Sequence, residues 1–354
     1  FAVNADGTGG SRVVDFDWHS LGVPGIPTSA QMNGYLGDSD GHGSNCASIA
    51  AGNTCGWAPG AKIYSIRIFD YYDIRNSNKY LLAMNDSLVF DLVRAFHLAK
   101  IAAGNTRPTV CTNSWGWTSG YTNMRNTIWR GTTYPTSSTN AAYGQVNYVH
   151  PYNIVSVDIS VNNAAAAGVI FIGAAGNYKH KIDVPGGIDY NNRWISIYGE
   201  STYYHRGSSP TSASSMINVG ALDTISIEQK AYFSETGPRV DIYAPGVMIM
   251  GAYANKPYVT YAVADPRKAG HYLNKITGTS QATPQVAGYV ACILQLHPEW
   301  NVTKIKDFIS TNATNGKLTT IGADTYANST SLQGGTNKIL KMPYKNPVRG
   351  KIGA

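Results

Sequence analysis

The 354-residue sequence predicts an α/β fold. Three observations lead there. Apolar runs of strand length, at 108–113, 168–175 and 216–221, alternate with stretches of helical periodicity at 80–103, 154–167 and after 280, the order that builds a parallel sheet. The chain is long enough to bury a large core, as one big α/β domain or two small ones. With 43% hydrophobic and 14% charged residues, 37 Gly and 24 Tyr, it has a globular, turn-rich composition and not a disordered one.

The totals also exclude some functions. The net charge of +7 is spread thinly and concentrates only at the end, in Lys338, Lys341, Lys345, Arg349 and Lys351. A nucleic-acid interface would need a basic patch interleaved with aromatics on one element, so no nucleic-acid partner is expected and the tail reads as solvated. No apolar run is long enough to span a membrane, since Ala164 to Ala175 is broken by glycines. Cys46, Cys55, Cys111 and Cys292 show no metal-ligand spacing, and Cys111 and Cys292 lie in contexts typical of buried free thiols. A chain that starts at Phe1 rather than Met is expected to have lost a preceding segment.

Taken in order, residues 1–10 carry three glycines and read as a loose arm. Val13-Val14-Asp15-Phe16-Asp17-Trp18 reads as a short strand ending in carboxylates, where open α/β sheets collect functional groups. Gly41-His42-Gly43 opens a helix, because small and apolar residues then recur at helical spacing through Gly52. Cys55 to Phe69 reads as a turn and a strand, and 80–103 as a helix ending near Gly104. Pro108 to Asn113 is a buried strand that runs out into Ser114-Trp115-Gly116.

Residues 117–150 are rich in Tyr, Asn, Ser and Thr and read as a long ordered loop, which in a compact domain is usually functional. A helix at 154–167 precedes Gly168 to Gly176, a fully buried strand that stops at Asn177. Residues 178–214 form a second enlarged polar segment, 216–221 a core strand, and 247–274 a third enlarged segment. Thr277-Gly278-Thr279-Ser280 then delivers a serine to a helix start. Gly278 permits backbone that a side chain would forbid, Thr279 and Ser280 are helix openers, and Pro284 falls where a missing N–H costs little. The small Ala282, Ala287 and Gly288 let this helix lie close to a sheet. A serine placed there feels a positive dipole beside free N–H groups, which suits a nucleophile whose reaction makes an oxyanion.

These stretches resemble the subtilisin-like serine proteases. Gly278 to Gly288 meets every fixed position of the pattern Gly-Thr-Ser-x-Ala-x-Pro-x-Val-Ala-Gly. The histidine stretch resembles His-Gly-Thr-His-x-Ala-Gly in its first half and departs from it at Asn45 and Ser48. Ser114-Trp115-Gly116 resembles the family's Ser-Leu-Gly edge, and Ala174-Ala175-Gly176-Asn177 its Ala-Ala-Gly-Asn motif. Cys46, one turn after His42, resembles the proteinase K-type branch. The match covers 11–310, leaving 1–10 as an N-terminal arm and 311–354 as a C-terminal extension with a basic tail.

The resemblance implies a single catalytic domain with a mostly parallel central sheet, helices on both faces and three enlarged loops, and a triad in the chain order Asp, His, Ser. Ser280 is then the nucleophile, His42 the base, and Asn177 the oxyanion donor. Val13-Val14-Asp15-Phe16-Asp17-Trp18 resembles a branch form that makes Asp15 the triad aspartate, with Asp17 as the alternative. Ser114, Trp115 and Gly116 are expected to pair with substrate backbone; Trp115 is expected to narrow the fourth subsite. Ala174, Ala175 and Gly176 wall a pocket with room for an apolar or aromatic residue before the cut. Protein or peptide substrates, a removed propeptide and an extracellular or particle-associated setting are implied. No metal or organic cofactor is needed for the chemistry; the short loop from Gly52 to Gly56 is expected to lack one calcium site, and structural calcium elsewhere is left open. Two competing readings are a catalytically silent scaffold in a larger assembly, which the insertions, tyrosines and basic tail would suit, and an esterase or lipase, which would need a Gly-x-Ser-x-Gly elbow and a different residue order.

Overall fold

The computed structural model describes residues 1, 9–31, 35–38, 40–68, 87–120, 123–135, 149–224, 228–253, 262–319 and 330–341. Parts of the sequence reading at 2–8, 69–86, 136–148, 254–261, 320–329 and 342–354, including Lys345, Arg349 and Lys351, lie outside the described residues. The five described helices of three turns or so and more are α1 (His42–Ala51), α2 (Leu88–Ala102), α3 (Val155–Ala166), α4 (Thr279–Leu296) and α5 (Val302–Asn312).

The central sheet runs in the order Thr314–Asn315, Lys338–Ile339, Ile242–Pro245, Ile217–Asp223, Val169–Ala174, Thr109–Asn113, with Gln229–Lys230 paired beside Ile217–Asp223. From Lys338–Ile339 to Thr109–Asn113 every pairing is parallel. The two remaining strands enter antiparallel. The strand Val169–Ala174 shows why the sheet needs helices on both faces, for all six residues are buried. Successive side chains in a strand point to opposite faces. Ile170 and Ile172 pack with Val286 and Val290 of α4 and Ile305 of α5. Val169 and Phe171 pack with Phe90 and Val93 of α2 and Val157 and Val161 of α3.

The short side chains of α4 divide between two neighbours. Ala282 and Ala287 lie in the core against the sheet. A Cβ on Gly288 would come within 2.6 Å of both Ala50 O and Trp57 Cβ, so this glycine lets α4 approach the end of α1 instead.

Each of the three enlarged segments contributes antiparallel strands among its described residues. Met124–Trp129 pairs with Thr132–Pro135 and with Arg193–Ser196, which pairs in turn with Ser201–Tyr203, so the first two segments share one four-stranded sheet. They are also tied by charge. Asp189 is fully buried and accepts from Arg130 Nε at 2.7 Å and Lys181 Nζ at 2.6 Å. The third segment pairs Ile249–Tyr253 with Tyr272–Ile276, and the latter with Val263–Ala264. Its first strand lies on α1: Ala252 N–H donates to Ser48 Oγ at 2.8 Å, and a Cβ on Gly251 would meet Asn45 Nδ2 at 2.5 Å. The two departures from the histidine motif, Asn45 and Ser48, therefore face an element that the enlarged segment supplies. The C-terminal extension joins the body, where Ile339 is paired with Tyr243 and Leu340 N–H donates to Tyr243 O at 2.8 Å.

Candidate active site

Two helix N-termini and two strand ends meet at one cleft. Ser280 is the second residue of α4, whose N-cap Gly278 is extended at φ 164 and ψ 163. Gly278 is thus not in a conformation closed to side chains. Its space is what matters, because a Cβ there would lie 3.0 Å from Gln281 Oε1, 3.5 Å from Asn177 Nδ2 and 3.6 Å from Ser280 N. The Ser280 N–H belongs to the first turn of α4, where an N–H has no upstream helical carbonyl.

Asn177 follows the buried strand Val169–Ala174 and is itself exposed. Its Oδ1 accepts from Thr279 N and from Thr279 Oγ1, both at 2.9 Å. A backbone N–H can only donate, so the oxygen of this amide is assigned and the NH2 end faces Gly278 and Ser280. Thr279 Oγ1 accepts in turn from Gly176 N–H at 3.3 Å. The loop after the strand and the start of the helix are fastened to each other, and the two free donors, Asn177 Nδ2–H and Ser280 N–H, border the same small space.

His42 opens α1 after Gly41, whose φ of 97 and ψ of −13 lie in the left-handed region that glycine tolerates. Burial lowers the imidazole pKa below its ordinary 6.5, and the charges of Asp40 and then Asp38 oppose the shift. The ring is thus biased toward its neutral, proton-accepting form. Cys46 Sγ lies 3.9 Å from His42 Nε2 and donates to Ser280 O at 3.4 Å, bridging α1 to α4. The Ser280 hydroxyl donates to Ser114 O at 3.2 Å rather than to His42.

Pro284 differs from its sequence reading. It stands inside α4, not in the first turn, at the position whose N–H would serve Ser280 O. That carbonyl accepts instead from Ser114 Oγ at 2.8 Å and from Cys46 Sγ.

The structure does not bring Asp15 onto His42. The strand that should deliver it is only Val13–Val14, in a two-stranded sheet of its own with Ile63–Tyr64 and not in the central sheet; Arg12 just before it donates to Ala51 O at 2.6 Å, at the far end of α1 from His42. Asp15 is exposed, and the carboxylates whose charge reaches His42 are Asp40 and Asp38. Asp17, the alternative, caps the short helical turn Trp18–Leu21 by accepting from His19 N–H at 3.2 Å, and Tyr35 OH lies 3.4 Å away. Asp38 was missed by the sequence reading. Its Oδ1 accepts from Gly41 N–H at 2.8 Å and its Oδ2 from Ser44 N–H at 2.7 Å, so it holds the α1 N-terminus. Burial alone would raise its pKa, but these hydrogen bonds outweigh burial and the net shift is downward. An aspartate just ahead of a helix start is the signal that could have found it.

Of the residues expected to bind substrate, Ser114 is bonded to Ser280 and Gly176 to Thr279 at the start of α4. Gly116 approaches Ser208, where a Cβ would lie 3.1 Å from Ser208 Cβ. Ala174 and Ala175 are buried, and Ala175 N–H donates to Val219 O at 2.9 Å. Gly176 has a φ of 120. Trp115 is half-buried, with its indole stacked on Phe90 at 5.9 Å and 20° and packed against the α2 core. Among the described residues, no three His, Cys, Asp or Glu side chains are grouped to hold a metal ion, and no helix is long and apolar enough to cross a membrane.

Comparison with known proteins adds a lineage to this geometry. The Subtilase family matches residues 24–334, a span that contains His42, Asn177 and Ser280 and leaves Asp15 and Asp17 outside. A subtilase-type proteinase of sexual differentiation in Schizosaccharomyces pombe is 35% identical over 157 residues, 44% of this chain and 26% of that protein. A thermostable alkaline protease of Halalkalibacterium halodurans is 26% identical over 282 residues, 78% of this chain and 53% of that protein. The chain thus spans about half the length, or less, of the curated relatives it matches. Among solved structures, a cold adapted subtilisin-like serine proteinase shares the fold with a TM-score of 0.53 at 22% identity, covering 93% of this chain and 81% of that one.

Proposed function

The chain belongs to the subtilase family, and from that premise we propose that it is a serine endopeptidase with Ser280 as nucleophile. His42 takes the hydroxyl proton as Ser280 attacks the peptide carbonyl, and returns it to the leaving amine. Asn177 Nδ2–H and the Ser280 N–H hold the oxyanion of the tetrahedral intermediate. The observation that carries this reading is the anchored amide of Asn177. Thr279 holds its oxygen at 2.9 Å, which leaves its donors beside the first-turn N–H of Ser280. In subtilisin, losing such a donor costs about 2.7–4 kcal/mol of transition-state stabilisation.

Attack requires the Ser280 hydroxyl to leave Ser114 O and turn to His42; hydrogen bonds of this kind often tighten only with substrate bound. Asp15 is the aspartate of this proposal by its place first in the chain order. Ser114 and Gly116 supply the edge for an added substrate strand. Ala174, Ala175 and Gly176 line a pocket for an apolar or aromatic residue before the cut. The chemistry runs on protein side chains and water. Proteins or peptides are the substrates, and the setting is outside the cell or on a particle.

A second reading, a silent scaffold, draws on the Ser280 hydroxyl bonded to Ser114 O and on His42 feeling the charges of Asp40 and Asp38 rather than Asp15. Labelling with a fluorophosphonate separates the two. Labelling of the wild type that is lost in Ser280→Ala supports the endopeptidase; a folded wild type that never labels supports the scaffold. Asp15→Asn is expected to lower kcat by about 10⁴, whereas Asp38→Asn acts mainly on stability. The reverse pattern would reassign the aspartate. A peptide library cleaved equally after Lys and Phe would refute the apolar preference.

A further inference from the structure

Beneath the loop that carries Asn177 lies a carboxyl group that the chemistry above does not use. Glu235 is 1% exposed. Its N–H donates to Gly176 O at 3.0 Å. Its side chain accepts the backbone N–H of Tyr178. Gly176 and Tyr178 are the residues on either side of Asn177. The fit is close, since a Cβ on Gly176 would meet Glu235 Cγ at 2.7 Å and Oε1 at 2.8 Å. Gly176, at φ 120, is a glycine on both counts, backbone and space. Glu235 Oε2 is buried without a hydrogen-bond partner, an arrangement that costs free energy and is rarely kept without a reason.

We propose that Glu235 is a positioning residue for the oxyanion donor, gripping the backbone on both sides of Asn177 so that its amide stays aimed at the space beside Ser280. The proposal rests on the reading of Asn177 given above. Two anchors then fix Asn177, Thr279 at its side-chain oxygen and Glu235 at its flanking peptides. Oxyanion stabilisation depends on donors held in place before the charge appears.

The grip has a charge state. The cation that acts on Glu235 is Lys230, 2% exposed on the strand Gln229–Lys230, whose Nζ donates to Ala231 O at 3.1 Å and Ser234 O at 2.9 Å. Lys179 acts on Lys230 and lies 5.2 Å over the Tyr232 ring. Burial pushes the Glu235 carboxyl well above the usual carboxylate range, against the Tyr178 hydrogen bond and the Lys230 charge. Burial likewise pulls Lys230 down to about 7. Both groups therefore favour their neutral forms. A neutral Glu235 can accept from Tyr178 without placing negative charge under the oxyanion. As pH rises and Glu235 ionises, its charge opposes the charge that Asn177 must stabilise, and kcat falls.

The test is steady-state hydrolysis of a chromogenic peptide with an apolar residue before the cut, across pH, for wild type, Glu235→Gln and Glu235→Ala. Glu235→Gln keeps the acceptor and removes the ionisation. It is expected to stay within about twofold of wild type near neutrality and to lose the alkaline fall in kcat. Glu235→Ala is expected to lower kcat by up to about a hundredfold with KM little changed. Unchanged kcat in Glu235→Ala, a loss confined to KM, or an alkaline fall in Glu235→Gln identical to wild type would each overturn the proposal. If Glu235→Ala does not fold, the alkaline limb of Glu235→Gln decides alone. A wild type that neither cleaves nor labels removes the endopeptidase reading itself, whereas an active wild type with indifferent variants removes only this one.

Discussion

Pro284 stands four residues after Ser280 in α4, and the Ser280 carbonyl therefore accepts from Ser114 Oγ at 2.8 Å and Cys46 Sγ at 3.4 Å in place of a helical N–H. A missing N–H in one turn thus draws in the strand-end serine from one side and the thiol of α1 from the other. The helix carrying the nucleophile is fastened to both neighbouring elements at the residue that matters most for the chemistry.

The first prediction tests that fastening. Ser114→Ala removes one of two donors to a part-buried carbonyl and is expected to lower stability by about 1 kcal/mol. In a Pro284→Ala background, where the helix regains its N–H, the same change is expected to cost less. Urea unfolding of the four members of the cycle measures the coupling, and strict additivity would count against the relationship.

Cysteine chemistry is expected to be ordered by burial. Burial pushes the Cys46 thiol up to about 12, while Cys55 is exposed. Only a thiolate is an effective nucleophile. Iodoacetamide at pH 8 should therefore modify Cys55 well before Cys46 in the folded protein, as peptide mapping by mass spectrometry would show. A mercurial that does reach Cys46 should inhibit by displacing His42 from its 3.9 Å contact; full activity after proven modification of Cys46 would disprove this.

Two buried histidines should make the fold acid-sensitive. His150 and His205 are both lowered to about 4 by burial, against 6.5 when exposed. At His150 burial outweighs the opposing hydrogen bond to Pro151 O, 2.9 Å from Nδ1, and Nε2 accepts from Trp194 Nε1–H at 3.4 Å. The unfolded state binds more protons than the folded state between about pH 4 and 6.5, so stability is full above that window and is lost as pH falls through it. The loss is on the order of 3 kcal/mol per histidine as an upper figure. Thermal unfolding from pH 7 to 4 measures it, and His150→Gln should flatten the slope.

Trp115→Leu is expected to act on stability and not on selectivity. It removes an indole stacked on Phe90 at 5.9 Å, at a cost of about 1–3 kcal/mol. Denaturant unfolding and a library varied at the fourth residue before the cut check both halves. A changed preference with unchanged stability would place Trp115 at the cleft.

What could be read from the sequence was what short stretches determine locally. The helix starts at His42 and Thr279 and the buried strand before Asn177 follow from period, small residues and capping chemistry. The fold class followed from their order. What escaped depended on partners far away in the chain. Asn45 and Ser48 look like blemishes in a motif until Ile249–Tyr253 is seen lying on them. The stacking of Trp115 on Phe90 joins residues 25 apart in the chain. The place of Asp15 hangs on the registry of a two-residue strand, which no local pattern encodes. Asp38 is the exception, a helix cap legible from its position and overlooked beside a more conspicuous histidine.

The shared sheet of the first two enlarged segments bears on how such a chain can vary. Strands from 124–135 and 193–203 complete each other, and Asp189 in one is buried against Arg130 in the other. Neither segment is a self-sufficient decoration. Trimming the first would bare the edge of Arg193–Ser196 and take Arg130 from a buried carboxylate. The two insertions are therefore heritable only as a pair: ancestors and engineered chimeras should carry both or neither, and a recombination joint falling between them should yield chains that fail to accumulate.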